Sequence, residues 1–327
     1  MRRTTRRLGA AAAGALAVIV LTLIVSVVAA PGDGTRLFLT TEGASLVQQG
    51  LAAAAPTGAA AEGFTAVPSP GIKFVANVSQ ATTAPWVDSN ASRFQRGATK
   101  VAYTKLPAGA APLAAAEAFT FGAEAILTPD AADLEELGKM LTFLKANEAP
   151  RLPALANIGV VDSKSPLMDE VLNLLSRRNL LYRVVDKPDR SLDLTLQLGS
   201  VDFPESSASN PSDFAARVRA KLGDDKRLVR LYQTSTVLAH LTGNDQAARL
   251  FLLSYGGPRR QAAAGPQQGI RVRVLGRYRP TKVAAYGAPA DAALMDVDNP
   301  KDASGEATEF TLPSFRTLCI VDLERTK

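Results

Sequence analysis

Strand and helix signals alternate in the first two thirds of this chain and give way to strands alone near Lys226. A strand at 101–103 precedes a helix over 112–121, and a strand at 125–127 precedes a helix over 131–147, where leucines recur at helical spacing and Asp130 can cap the start. Strands that alternate with helices favour a parallel sheet covered by helices. Short strands punctuated by Gly and Pro favour an antiparallel sandwich; these are predicted at 228–232, 236–241, 248–255, 270–275, 282–286, 308–312 and 318–323.

The predicted fold class is therefore α/β followed by all-β. Pro150 and Pro153 mark a boundary after which the alternation restarts. We expect four segments: an N-terminal transmembrane or signal helix (1–30), a partial barrel-like α/β region (31–150), a small flavodoxin-like unit (151–226) and a C-terminal antiparallel β-sandwich (227–327).

The first thirty residues predict export. MRRTTRR carries four arginines and no acid, and residues 8–30 contain no charged side chain. A helix of that length rises roughly 34 Å, enough to span a hydrocarbon core of about 30 Å. Arginines before the span stay in the cytoplasm, so the rest of the chain is placed outside. Two readings stay open: a signal-anchor, or a signal peptide cleaved near Ala29 and Ala30, where small residues suit a peptidase.

Charge and ligand-type residues exclude several classes of function. The chain has 37 basic and 31 acidic residues, and without the first thirty residues 33 basic face 31 acidic. The exported part therefore lacks the basic excess that nucleic acid binding needs. The only cysteine, Cys319, lies in an apolar run and is expected in the core, and the only histidine, His240, is expected on a strand facing solvent or a backbone carbonyl. We predict no metal site and no cofactor.

Several segments carry a resemblance to a known family. RLFLLSYG at 249–256, GIRVRV at 269–274 and TEFTLP at 308–313 resemble the terminal β-sandwich of multi-domain glycoside hydrolases. AAAEAFTFGAEAIL at 114–127 resembles the end of a glycosidase barrel. The segment order is similar to β-galactosidases that carry an amidotransferase-like middle domain.

The chain also departs from that family. A complete barrel needs about 200 residues or more, and only residues 31–150 are available. The middle unit has no cysteine on a glycine-flanked turn, so the resemblance implies no catalysis there. We expect either that the catalytic half of the barrel is missing or that the first domain is something else.

Candidate site residues follow from what a glycosidase requires. Two carboxyl groups about 5 to 10 Å apart perform the reaction. Glu42 follows a strand end, where barrel enzymes place catalytic groups, but no partner acid is identified, and an acid near the start of the next helix is the alternative. Glu117 and Glu124 fit solvated positions on a helix and at its exit. Asp162 and Asp186 end strands of the middle unit, where ligands can bind.

Three aromatic residues are candidates for carbohydrate binding. Trp86, Phe94 and Tyr103 can form a stacking surface for sugar rings, although aromatics in so sparse a set are more often core.

Three hypotheses follow for the function. The first is a membrane-tethered or exported, non-catalytic relative of glycoside hydrolases that binds envelope carbohydrate or scaffolds another envelope protein. The second is an active hydrolase that uses Glu42. The third is a protein-interaction module without a carbohydrate ligand. The expected partners are carbohydrate or protein, with the membrane reached through residues 8–30.

Overall fold

The computed structural model describes residues 36–73, 86–256, 266–302 and 305–326. Seven strands come first: β1 (Leu37–Leu39), β2 (Ala53–Ala54), β3 (Thr65–Val67), β4 (Gly71–Lys73), β5 (Trp86–Asp88), β6 (Lys100–Tyr103) and β7 (Glu124–Leu127). Five of them form a parallel sheet in the order β2-β1-β7-β6-β3, and β4 and β5 form an antiparallel pair. Alternate residues of this sheet, such as Leu39, Val101 and Leu127, are fully buried, which is the period expected for a covered strand.

Four helices accompany this sheet: α1 (Ala44–Gln48), α2 (Ala91–Gln95), α3 (Ala111–Phe121) and α4 (Leu134–Ala146). The predicted cap is confirmed, because the Asp130 side chain accepts a hydrogen bond from the Ala132 amide at 2.9 Å. Helix α3 is buried along almost its whole length. Its many alanines leave little side-chain bulk, so neighbouring elements can approach it from opposite sides.

A second parallel sheet has three strands in the order β10-β8-β9. Helices α5 and α6 begin with proline and are capped by Ser165 and Asn210, whose side chains accept backbone hydrogen bonds from the first turn. The apolar faces of both helices bury a core of their own with the sheet. The elements are β8 (Ile158–Val161), α5 (Pro166–Arg177), β9 (Tyr182–Val185), β10 (Leu194–Leu196) and α6 (Pro211–Leu222).

Two antiparallel sheets complete the described chain. Their orders are β11-β14-β18-β16, with β17 paired to β18, and β12-β13-β19-β15. The strands are β11 (Val229–Tyr232), β12 (Val237–Gly243), β13 (Ala247–Ser254), β14 (Arg271–Leu275), β15 (Tyr278–Ala285), β16 (Met295–Asp298), β17 (Lys301–Asp302), β18 (Gly305–Thr311) and β19 (Leu318–Arg325).

The sheet that contains β13 is buried on both faces. Leu250 and Leu252 belong to the core shared with the other antiparallel sheet, whereas Phe251 and Leu253 belong to the core shared with α3 and the first parallel sheet. Cys319 of β19 is fully buried, which confirms its predicted place in the core. Because both faces are covered, β13 is a continuous apolar run and shows no alternation.

The predicted fold class, α/β followed by all-β, is wrong. The described chain is a mixed α/β structure of several sheets, because an antiparallel sheet shares one hydrophobic core with α3, α4 and the first parallel sheet. The region expected to be barrel-like is an open parallel sheet with an additional antiparallel pair. The domain boundaries after residues 30, 150 and 226 stay predictions.

The transmembrane or signal helix predicted at 1–30 lies outside the described residues. Within the described ranges, no helix has both the length and the apolar character needed to cross a bilayer.

Candidate functional site

Glu42 lies where sequence analysis placed it, directly after β1. It occupies a short 3-10 turn, is exposed, and accepts a hydrogen bond from the Thr41 hydroxyl at 3.3 Å. Hydrogen bonding, first of all from the Thr40 side chain, lowers the pKa of Glu42 below its usual value. An ionised carboxylate suits a nucleophile or general base and does not suit a proton donor. The turn requires Gly43, since a Cβ there would lie 2.7 Å from the Cβ of Leu39.

The three aromatic candidates lie in three different environments. Trp86 is stacked by the Arg177 guanidinium, whose central carbon is 3.4 Å from the ring centroid. Tyr103 is buried and donates a hydrogen bond to Glu117 at 2.8 Å. Phe94 stacks on Phe121 with 5.0 Å between ring centroids. Of the three, Phe94 alone lines the larger pocket described below.

Asp162 and Asp186 also differ in their surroundings. Both oxygens of Asp162 accept hydrogen bonds from Arg96, at 2.8 and 2.9 Å, and Arg96 also pairs with Asp169. This guanidinium lowers the pKa of Asp162. Asp186 follows β9 and is exposed. The edge of the sheet at Asp162 is thus occupied by a side chain from the end of α2.

Glu117 is a buried carboxylate, and the prediction that it is solvated is wrong. It has no exposed surface, and burial raises its pKa. Four donors reach its two oxygens: the Asn90 amide N–H (2.8 Å), Asn90 Nδ2 (2.9 Å), the Tyr103 hydroxyl (2.8 Å) and the Tyr255 hydroxyl (2.7 Å). Because these donors come from separate elements, Glu117 joins α3 to β6, to the residue preceding α2 and to the segment after β13. The carboxylate thus holds Asn90, Tyr103 and Tyr255 in place.

A pocket of about 180 Å³ lies where the end of α3, the segment 148–154 and strands β12 and β13 meet. We call it the His240 pocket. Four phenylalanine rings belong to its wall, and Phe119 and Phe251 meet edge to face at 6.3 Å. The polar or charged side chains in the lining are Gln95, Thr120, Glu148, Arg151, His240, Thr242 and Arg249, and the rings are Phe94, Phe119, Phe121 and Phe251.

His240 is held between aromatic rings and not, as predicted, against solvent or a backbone carbonyl. Its ring centroid is 4.7 Å from that of Phe121 and 6.1 Å from that of Phe251, the residue opposite it on β13. Burial, helped by the positive charge of Arg151, lowers the pKa of His240 to about 4. The imidazole is therefore uncharged at neutral pH.

The two arginines of the His240 pocket have protein partners. Arg249 donates from Nη2 to the Asn147 carbonyl at 2.9 Å, and its Nε lies 3.0 Å from Asp322 Oδ1. Arg151 lies against Gly122, the residue that ends α3: a Cβ there would be 1.0 Å from Arg151 Nη1. Gly122 also has a φ of +75°, a conformation that glycine adopts without strain.

The described lining of the His240 pocket offers aromatic rings and hydrogen-bonding side chains. Among the described residues, Glu148 is the only acid in its lining, so these residues do not assemble there the pair of carboxyl groups required by glycoside hydrolysis. Among the residues that the structure describes, no cluster of histidine, cysteine, aspartate and glutamate could hold a metal ion.

Of the residues that line the His240 pocket, the sequence singled out only Phe94 as a binding candidate, and it did not reveal that Glu117 is buried. A usable signal existed for Glu117, which is the only charged residue in α3, surrounded in sequence by alanine and phenylalanine. No comparable signal marks His240, because Phe121 comes from a distant part of the chain and Phe251 lies beside it only through the pairing of β12 with β13.

Solved structures resemble this chain in fold, and the resemblance does not extend to an activity. No protein-family model matches the sequence, and no curated protein matches it. An alpha-L-fucosidase, isoenzyme 2 from Paenibacillus thiaminolyticus, aligns with a TM-score of 0.50 at 11% identity, over 66% of this chain and 57% of the fucosidase. The chain thus spans little more than half the length of that enzyme.

Two further glycoside-active enzymes align more loosely. A debranching enzyme from Nostoc punctiforme has a TM-score of 0.18 at 13% identity, over 60% of this chain and 40% of that enzyme. An alpha-amylase from H. orenii has a TM-score of 0.20 at 10% identity, over 80% of this chain and 53% of the amylase. The fucosidase alignment shows that the described chain has a glycoside-hydrolase-like fold.

Proposed function

We propose that this chain is an exported, non-catalytic, glycoside-hydrolase-like protein that binds carbohydrate in the His240 pocket. The observation that carries the proposal is a pocket walled by four phenylalanine rings and edged with polar groups. Aromatic faces pack against the apolar face of a sugar ring, and a few polar groups fix its orientation. The glycoside-hydrolase-like fold supports carbohydrate as the ligand class.

The volume of the His240 pocket suits a single ring. It is about 180 Å³, and a cavity of about 150 Å³ in another protein binds benzene. One pyranose unit therefore fits the pocket, whereas the drug-sized ligands of larger clefts need about 300 Å³ or more.

The positions of the acidic residues support the proposal that the chain is non-catalytic. In the part of the chain that the structure describes, one acidic residue lines the His240 pocket, and Glu42 lines neither this pocket nor the small one beside it. A hydrolase would need a second carboxyl group facing Glu42 across a bound glycan. Glu42 nevertheless keeps a lowered pKa, so hydrolysis through this residue is the alternative that the experiment must exclude.

The first thirty residues support the proposed location outside the cytoplasm. Four arginines precede 23 uncharged residues, a pattern that holds the first segment in the membrane or directs its cleavage, and places the rest outside the cytoplasm. The proposed partner is then carbohydrate of the cell envelope. We also propose that the order of segments is that of the β-galactosidases described above.

A retention assay with the full chain tests binding. Replacing Phe121 with alanine removes a ring that faces both Phe94 and His240, and we expect glycan affinity to fall about threefold to tenfold, the effect of losing one aromatic contact of roughly 0.5–1.5 kcal/mol. Phe143→Ala is the matched control, because this ring packs on Tyr286 and lies outside the pocket lining.

Turnover is measured on the same preparation with a panel of chromogenic glycosides. We expect none. Turnover that disappears in Glu42→Gln would replace the proposal with an active hydrolase. Absence of both turnover and retention, together with a co-purifying envelope protein, would replace it with a protein scaffold.

A further inference from the structure

The polar groups of the His240 pocket divide into engaged and unengaged sets. The arginines belong to the engaged set, since Arg249 is bound to Asn147 and Asp322 and Arg151 has its own interaction. The unengaged set holds the exposed carboxylate of Glu148 and three uncharged side chains: no hydrogen bond joins the side chains of Gln95, Thr120 or His240 to another described residue.

Thr120 is the most informative of the three. It is 5% exposed and lines the His240 pocket, and its Oγ1 is buried with no hydrogen-bond partner. A buried hydroxyl without a partner costs stability, and most such groups in folded proteins are satisfied by protein or water. Rotation of the Thr120 side chain about χ1 can turn this hydroxyl into the pocket, where a ligand hydroxyl would supply the missing hydrogen bond.

His240 and Gln95 extend the same chemistry. A neutral imidazole offers one donor and one acceptor, a primary amide offers both, and a hydroxyl offers both. These groups match ligand hydroxyls, which also donate and accept. An anionic ligand finds no such match, because both arginines are engaged and Glu148 and the Asp322 carboxylate offset their charge.

We propose that the His240 pocket selects one uncharged pyranose ring at the end of a glycan, whose hydroxyls bond to Thr120, His240 and Gln95 while its apolar face packs on the phenylalanines. This inference rests on the proposed function and adds the ligand class. A ring-sized pocket accepts a terminal sugar, whereas sugars inside a chain need an open groove. Sugars that carry a carboxylate are excluded.

The single histidine makes this testable by NMR. His240 supplies the only imidazole signals of the full chain when no histidine tag is present. We would titrate the protein with the methyl glycosides of glucose, galactose, mannose, fucose and N-acetylglucosamine, and with methyl glucuronide and methyl galacturonide. At least one neutral glycoside is expected to shift the His240 signals saturably, and neither uronide is.

The outcomes separate the two proposals. If a uronide shifts the signals at lower concentration than every neutral glycoside, the neutral-ligand inference is overturned and carbohydrate binding stands. If no sugar shifts them and the glycan retention assay is also negative, the proposed function fails as well. Retention of glycans without any His240 shift would place carbohydrate elsewhere and overturn the inference alone.

A pair of variants isolates the Thr120 hydroxyl. Thr120→Val keeps the shape and removes the hydroxyl, so affinity for the neutral glycoside is expected to fall roughly threefold to tenfold. The free protein should melt at the same or a higher temperature, because a buried unpartnered group has been removed. Thr120→Ser keeps the hydroxyl and should retain most of the affinity. Unchanged affinity in Thr120→Val would overturn the assigned contact.

Discussion

Replacing Glu117 with alanine is expected to lower the free energy of unfolding by about 3–5 kcal/mol. The variant leaves the Asn90, Tyr103 and Tyr255 donors buried without an acceptor, and each unsatisfied group costs about 1–3 kcal/mol. The variant also leaves a cavity beside α3, a helix that is buried along almost its whole length. Urea denaturation followed by circular dichroism measures the change.

Two variants control this result. Glu117→Gln keeps the volume but turns one oxygen into a donor that faces other donors, so it is expected to lose part of the stability and not all of it. Glu124→Ala removes a nearby acid that pairs with Lys100 at 3.6 Å on the surface, and we expect a loss below about 1 kcal/mol. If Glu117→Ala and Glu124→Ala lose the same amount, the buried carboxylate does not join the elements as described.

Acidification from pH 6.5 to pH 4 is expected to remove about 3 kcal/mol of stability through His240 alone. Its folded-state pKa is about 4 and its ordinary value is 6.5, so between these values the unfolded chain binds more protons than the folded chain. Stability is therefore fully present above pH 6.5 and is lost as the pH falls. Each pKa unit of difference is worth about 1.4 kcal/mol, so the full effect is about 3.5 kcal/mol, and about 3 kcal/mol of it falls between pH 6.5 and pH 4.

The experiment compares the native chain with His240→Gln at several pH values. Other groups titrate in both proteins, including Glu117, whose raised pKa gives the opposite sign, with stability lost as the pH rises through its folded-state value. Subtracting the pH dependence of stability of His240→Gln from that of the native chain leaves the contribution of the His240 imidazole. Parallel stability curves for the two proteins between pH 4 and 6.5 would mean that His240 is not buried among rings in a neutral form.

Local structure was predictable where a segment determines its own conformation. The helix predicted over 131–147 is present as a 3-10 turn followed by α4, with Asp130 capping it. Cys319 is in the core as its apolar neighbours indicate. In contrast, residues 54–71 are rich in alanine, glycine and proline, a composition typical of a loop, yet β3 lies within them. Strand β3 forms because β6 offers a partner in register, which is information from outside the segment.

The site and the fold class were not predictable because both depend on contacts distant in sequence. The apolar run from Leu250 to Leu253 reads as strand, but sequence alone does not reveal that Phe251 faces α3 and Leu252 faces another sheet. Glu117 looks like a solvated helix position until Tyr255, far along the chain, is placed beside it. The expected separation into α/β and all-β parts failed for the same reason.

Carbohydrate binding without hydrolysis in the His240 pocket is tested by a glycan retention experiment in which the retained glycan is then analysed by mass spectrometry. The full chain and its Phe121→Ala variant are presented with the same panel of neutral oligosaccharides. We expect the native chain to retain a glycan that is recovered intact, and the variant to retain much less of it. A recovered glycan shortened by one sugar, or equal retention by both proteins, would contradict non-catalytic binding in the His240 pocket.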